Sequence, residues 1–258
     1  MPARILVHGH RGARARLAEN TMAAFEYAIA AGADAIEMDV AITKDDVLVI
    51  SHDPELNPEI CRAPAGTPTV IRQLTFEELQ RWDCGSLRNP RFPQQQAVPG
   101  ARIPSLDEVL ALGSRAAFLF NIELKIFGAP PERFAELLLA AVRHHKLEQR
   151  VIVQSFDFRV LRVLHGLAPE IRLSALDETG LGDFVALAHS AQAAGISPHY
   201  RLVNVAKVAT AHAAGVQVMA WTANTPDVWD DLIAAGVDAI ITDDPAALIA
   251  NLHQKGVR

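Results

Sequence analysis

The sequence predicts an α/β fold, a (β/α)8 TIM barrel with a small insertion after its second strand. Three observations predict it. The chain has 258 residues, an ordinary length for one such barrel and long for most other single domains. Short apolar runs alternate eight times with longer helical patterns, which implies parallel strands joined by helical crossovers. No Gly-x-Gly-x-x-Gly turn follows the first strand, which counts against an open dinucleotide-binding sheet. With 50% hydrophobic and 21% charged residues, the chain has enough apolar surface for one large core and none of the signs of disorder.

The elements follow in order. Arg4 to His8 reads as a first strand. Thr21 to Ala31 reads as a helix, with Asn20 as its cap and Gly32 as its stop. Ala35 to Val40 reads as the second strand. Later strands are expected at 118–124, 151–155, 171–175, 195–197, 216–221 and 239–242. Helices are expected between them at 132–145, 158–167, 183–194, 203–214 and 227–235, with a last one at 245–254. Ala-Ala-Gly ends at Gly32, Gly195, Gly215 and Gly236 read as C-caps that feed the next strand.

Two places break the alternation. Val47 to Ser51 is an extra strand, reached by a turn around Lys44 and Asp45 that is too short for a parallel crossover, so it must form an antiparallel hairpin. Residues 54–104 are rich in Pro, Arg and Gln, with one helix expected at 75–82. They read as an inserted subdomain within a single 1–258 domain, and such insertions usually shape or cover a barrel's site. Cys61 and Cys84 do not amount to a disulfide framework, so two free thiols are expected.

A barrel holds its site at the C-terminal ends of its strands. Polar residues collect there: His8-Gly9-His10-Arg11-Gly12, Glu37 and Asp39, His52-Asp53, Asn121, Glu123 and Lys125, Gln154-Ser155, Trp221-Thr222 and Asp243-Asp244. Glu37 and Asp39 are two apart on a strand and point the same way, as do Glu123 and Lys125. Carboxylates converging inside an apolar run repel one another unless a cation lies between them. A hard divalent ion, magnesium or calcium, is the simplest answer. An even hairpin loop would set His52 across from Glu37 or Asp39, and His10 reaches the same region from the neighbouring strand. A lone histidine is more often structural; two beside a metal site suit an acid-base pair. Arg11 and Lys125 add the positive charge that an anionic phosphodiester requires.

The ordered series His10-Arg11-Gly12, Glu19-Asn20-Thr21, Glu37-Met38-Asp39-Val40 and His52-Asp53 resembles the glycerophosphodiester phosphodiesterase family. The resemblance continues through Ile103 to Glu108, Asn121 to Lys125, Gln154-Ser155-Phe156, Trp221-Thr222 and Ile241 to Pro245. It implies hydrolysis of a glycerophosphodiester to glycerol 3-phosphate and an alcohol. It assigns His10 and His52 as the acid-base pair, Glu37, Asp39 and Glu123 as metal ligands, and Arg11 and Lys125 to the phosphate, with Trp221 lining the pocket. The chain departs from the family's pattern at His8, read here as a core histidine, at Arg14 and Arg16, and at Asn57 to Ala63.

A net charge of -6 without a basic cluster argues against nucleic acid. No apolar stretch is long enough to span a bilayer, so stable membrane insertion is not expected. The N-terminus Met1 to Arg4 leads straight into a strand and lacks a signal-peptide core, so a cytoplasmic enzyme is the default expectation. A related phosphodiesterase acting on lysophospholipids or phosphoinositides would need an apolar lid, and no long amphipathic helix is seen in the insertion. A non-catalytic ligand-binding barrel would be expected to lack a histidine or carboxylate, and none is missing.

Overall fold

The structure, a computed structural model, describes residues 4–258; the first three residues of the expected N-terminal lead-in lie outside the described residues. The elements in order are β1 (Leu6–Gly9), α1 (Met22–Ala30), β2 (Ala35–Ile42), β3 (Leu48–Ile50), α2 (Phe76–Leu79), α3 (Leu106–Leu110), β4 (Leu119–Leu124), α4 (Pro131–His144) and β5 (Val151–Ser155). They continue with α5 (Phe158–Leu167), β6 (Arg172–Asp177), α6 (Phe184–Ser190), β7 (Gly195–Pro198), α7 (Val205–Ala213), β8 (Gln217–Ala220), α8 (Pro226–Ala235), β9 (Ala239–Thr242) and α9 (Pro245–Gln254). Eight strands, β1-β2-β4-β5-β6-β7-β8-β9, pair in parallel, and β9 closes on β1 with Leu6 against Ala239 and Gly9 against Thr242. This is the predicted TIM barrel. Among the described residues no helix is long and apolar enough to cross a membrane.

Strand parity divides the side chains into two populations. Val7, Ile36, Met38, Val40, Phe120, Ile122 and Val153 face outward into one continuous core with the helices. The alternate positions face inward. Leu6, Leu119, Ile152, Met219 and Ala239 form a small apolar plug at the strand starts. Above it the interior is polar: Asn121 on β4 bonds His8 on β1 over the intervening β2 at 3.3 Å, Gln154 donates to Glu37 at 3.3 Å, and Ser174 meets Ser197 at 2.8 Å. The main hydrophobic stabilisation therefore lies between sheet and helices, which leaves the barrel interior free to carry polar groups.

Several local expectations are corrected. Asn20 is not the cap of α1; Thr21 accepts from Ala24 N, and Asn20 sits at φ 56 with its side chain turned inward. Gly195 is not a C-cap but opens β7, and the left-handed residue after the shortened α6 is Gln192. The second crossover helix, α3, starts at a capping box in which Ser105 and Glu108 each serve the other's backbone N–H.

Residues 54–104 pack Leu56, Ile71, Leu74, Leu79, Trp82 and Ile103 against Ala41 and Val49 on the hairpin's outer face. The two cysteines are not free thiols: Cys61 and Cys84 form a disulfide within this cluster. Their proximity follows from a local antiparallel pairing in which Arg62 N donates to Asp83 O and Asp83 N to Arg62 O. Such pairing depends on the fold of the whole insertion, which cysteine count alone does not report.

Two outcomes are expected. The disulfide spans 23 residues, so Cys84→Ser should lower stability by about 3 kcal/mol through loop-closure entropy, read as a lower denaturation midpoint. His8 is wholly buried, and burial lowers its pKa to about 4. The unfolded chain thus binds a proton that the folded chain does not. The stability His8 contributes is present above its unfolded value, roughly 6.5, and is lost as the pH falls toward 4. His8→Gln should remove about 2 kcal/mol of the stability difference between pH 7 and pH 5, and an unchanged pH profile of unfolding would contradict this.

Candidate active site

The site begins with the loop after β1. Gly12 adopts φ 84, and an added Cβ would lie 2.6 Å from the Ala24 backbone, so only glycine fits this turn. Its N–H donates to Glu37 O at 3.2 Å, and His10 N donates to Thr242 O at 2.8 Å. These bonds hold His10 and Arg11 above β2.

In β2 and β4 the register sets Glu37 beside Asn121 and Asp39 beside Glu123. One carboxylate oxygen from each of Glu37, Asp39 and Glu123 lies within 4.8 Å of the others, and all three residues are buried. Burial, then Asp39 and Glu123, pushes the Glu37 carboxyl well above its ordinary range. Burial and Asp39 push Glu123 up to about 7. Burial would raise Asp39 too, but Arg11, Lys125, His52 and Asn20 outweigh it and hold Asp39 well below the usual carboxylate range. Asp39 Oδ1 accepts no hydrogen bond and faces Lys125 Nζ at 3.4 Å. Three crowded carboxylates with an open oxygen fit a divalent cation, because the donor set is hard and the missing component is positive charge.

Two cations frame this triad. Lys125 Nζ lies 2.5 Å from Glu123 Oε1. Arg11 Nε lies 3.1 Å from Asp39 Oδ2, an ion pair without hydrogen-bond alignment, while its NH1 meets Glu19 Oε1 at 2.5 Å. Arg11 N also donates to Glu37 Oε2 at 2.9 Å, and Asn20 Nδ2 to Asp39 Oδ2 at 3.0 Å. Burial opposes both charges, yet the surrounding carboxylates raise both pKa values, so Arg11 and Lys125 stay cationic.

The histidines arrive by different routes. His10 Nδ1 meets Asp243 Oδ1 at 2.6 Å, which leaves Nε2 turned to the triad, 4.0 Å from Glu37 Oε2. Burial, then Arg14, lowers the His10 pKa to about 4 despite Asp243, so the ring is neutral at pH 7. His52 does not arrive by hairpin register. The loop between Ile42 and Leu48 has five residues, an odd number, and the ladder sets Val40 against Ile50, so Ser51 N donates to Asp39 O at 2.9 Å. His52 is brought to the pocket because the chain leaves the sheet after Ile50. Its Nδ1 meets Asp53 Oδ1 at 2.7 Å, and burial lowers its pKa against the pull of Asp39.

These groups line one cavity of about 250 Å³ that holds His10, Arg11, Glu37, His52, Glu123, Lys125 and Trp221 together. Trp221 donates Nε1 to Ser197 O at 2.7 Å and packs edge-on against Phe156 and His199. Sequence reasoning missed the support around the site. Asp243 accepts from Arg14 Nε at 2.6 Å and Asn224 Nδ2 at 2.7 Å as well as meeting His10. The only available signal was the clustering of polar residues at the strand ends, which names members but not bonds.

A closed eight-stranded barrel with an acidic triad, two cations and two imidazoles at its C-terminal face defines a class: a hydrolase-type barrel for a small phosphate ester. The profile of the Glycerophosphoryl diester phosphodiesterase family matches residues 10–247, and the chain belongs to that family. A glycerophosphodiester phosphodiesterase of Caldanaerobacter subterraneus is 36% identical over 251 residues, covering 97% of this chain and 98% of its own. The crystal structure of a Silicibacter pomeroyi chain aligns with a TM-score of 0.93 at 30% identity, covering 99% of this chain and 95% of that one. An Oleispira antarctica phosphodiesterase in complex with the product sn-glycerol-3-phosphate aligns with a TM-score of 0.85 at 25% identity, over 97% of both chains.

Asp243 orients His10 without reaching the triad. With His10 in the proton-transfer role that the family resemblance implies, Asp243→Asn should lower kcat by about 100-fold or more with a smaller change in KM, because the imidazole loses its fixed tautomer. Steady-state kinetics that put the loss in KM alone would contradict this.

Proposed function

We propose that this chain hydrolyses glycerophosphodiesters to glycerol 3-phosphate and an alcohol. The observation that carries the reading is the meeting of Glu37, Asp39 and Glu123 beside Lys125 and Arg11, with two imidazoles in the same cavity. The product held by the Oleispira antarctica phosphodiesterase supports the same substrate class.

Glu37, Asp39 and Glu123 hold a divalent ion, magnesium or calcium being the ions such oxygen ligands suit. When bound, the ion neutralises charge on the phosphate and polarises it. Arg11 and Lys125 take the remaining phosphate charge, Arg11 by its guanidinium and Lys125 as a point charge. His10 and His52 share the proton transfers. One imidazole accepts through Nε2 a proton from the attacking oxygen, that of water or that of the substrate's own glycerol hydroxyl with water then opening the cyclic ester. The other enters as imidazolium and donates its Nε2 proton to the leaving oxygen. Asp243 and Asp53 hold the two Nδ1 atoms, so each ring presents Nε2. Trp221 and Phe156 give the glycerol end an apolar wall.

A panel of glycerophosphodiesters assayed for glycerol 3-phosphate release tests the reading. Chelation should abolish release and added magnesium or calcium restore it. His52→Ala should lower kcat by about 100-fold or more. Glu123→Gln should lower the apparent affinity for the activating ion by at least about 10-fold. Release that persists in chelator would remove the metal from the reading, and an unimpaired His52→Ala would remove the histidine.

A further inference from the structure

The rim of this cavity carries more positive charge than a single phosphodiester needs. Two segments without any acidic residue supply it: residues 10–18 give Arg11 and Arg14 to the lining, and residues 88–102 give Arg91, while Arg16 is paired with Asp244 at 2.6 Å. They are locked together. Gln96 N donates to Arg16 O at 2.8 Å, and Gln95 Nε2 donates to Arg14 O at 2.7 Å and Leu17 O at 3.1 Å. The chain as a whole has a net charge of -6, so this wall runs against the average.

Within the wall, Arg14 and Arg91 line the same cavity as His10, Glu37, Glu123 and Lys125. Arg14 is fixed: its Nε is bound to Asp243 at 2.6 Å, and its guanidinium lies 5.2 Å from the Phe92 ring centroid. Among the described residues, its terminal nitrogens and the Arg91 guanidinium make no hydrogen bond or ion pair. Arg11 and Lys125 are the cations at the triad, so the open terminal nitrogens of Arg14, whose Nε is paired with Asp243, and the Arg91 guanidinium remain for a further anion. Among the described residues, the acid lining the cavity outside the triad is Glu178, which follows β6. In the closed order β6 stands opposite β1, so the mouth is positive on the Arg14 side and negative on the far side.

We propose that Arg14 and Arg91 form a second anion subsite, and that the enzyme prefers diesters whose leaving alcohol carries a phosphate of its own. This rests on the hydrolase reading above and names its substrate class. The second phosphate lies against the Arg14–Arg91 wall while the scissile one lies at the triad. A neutral leaving alcohol uses only the triad.

The test compares glycerophosphoglycerol with bis(glycerophospho)glycerol, which differs by one added glycerophosphate, with rates counted per scissile end. At low ionic strength the wild-type enzyme should favour the doubly charged substrate by about 10-fold in kcat/KM, with the gain in KM and shrinking as salt rises. Arg91→Glu should bring the ratio to one or below, and Arg91→Lys should keep most of it. Arg14 is left intact because it also touches Asp243. A wild-type ratio near one, or a ratio unmoved by Arg91→Glu, overturns the subsite while leaving the hydrolase reading in place. Failure to cleave either substrate removes the hydrolase reading, and this inference with it.

Discussion

Three buried carboxylates within a few ångströms of one another are the constraint on which this molecule turns. Glu37, Asp39 and Glu123 could not share their position as anions without compensation. The structure supplies part of it. Arg11 and Lys125 bring charge, while Asn20, Gln154 and the Arg11 N–H bring donors. That compensation is incomplete, since Glu37 and Glu123 still hold on to protons more strongly than free carboxyls do. A group of carboxylates left short of positive charge suits a cation.

The backbone of β2 does as much as its side chains. The strand pairs with β4 along one edge, but on the other edge β1 ends early and β3 begins late. In the gap the carbonyls of Glu37 and Asp39 accept Gly12 N and Ser51 N. The residues that present the carboxylates therefore also anchor the two loops that present Arg11 and the histidines. The positions from which acid, cation and imidazole start are thus fixed by backbone hydrogen bonds, the kind of preorganisation that electrostatic catalysis needs.

Much of this was legible in the chain. Barrel topology follows from eight alternations, and the acid–cation cluster follows from strand parity at Glu37, Asp39, Glu123 and Lys125. What stayed hidden depended on contacts distant in sequence or on single-residue counts. His52 was sought through a register argument that the five-residue loop defeats, since one residue more or fewer moves every side chain to the other face. Asn20 looks like a helix cap because asparagine is a good one, yet Thr21 takes that place and Asn20 turns to Asp39. The disulfide was hidden because only the folded insertion brings residues 61 and 84 together. Asp243 stood in view at a strand end, but its bond to His10 spans 233 residues.

The division of the barrel into an apolar outer shell and a polar interior explains how so much unfavourable charge is tolerated. The core that holds the fold lies between strands and helices, and it includes Met38, between Glu37 and Asp39, and Ile122, next to Glu123. Each of these strands alternates between the two tasks, with one side chain packed outward and the next turned to the site. Repulsion inside the barrel is thus resisted by close-packed neighbours one residue away in the same strand. The two histidines mark the ends of this gradient. His10, beside Asp243, is enclosed and kept neutral, while His52, beside Asp53, sits where the sheet gives way to the insertion and keeps over a third of its side chain exposed. One imidazole belongs to the barrel wall and the other to the mouth.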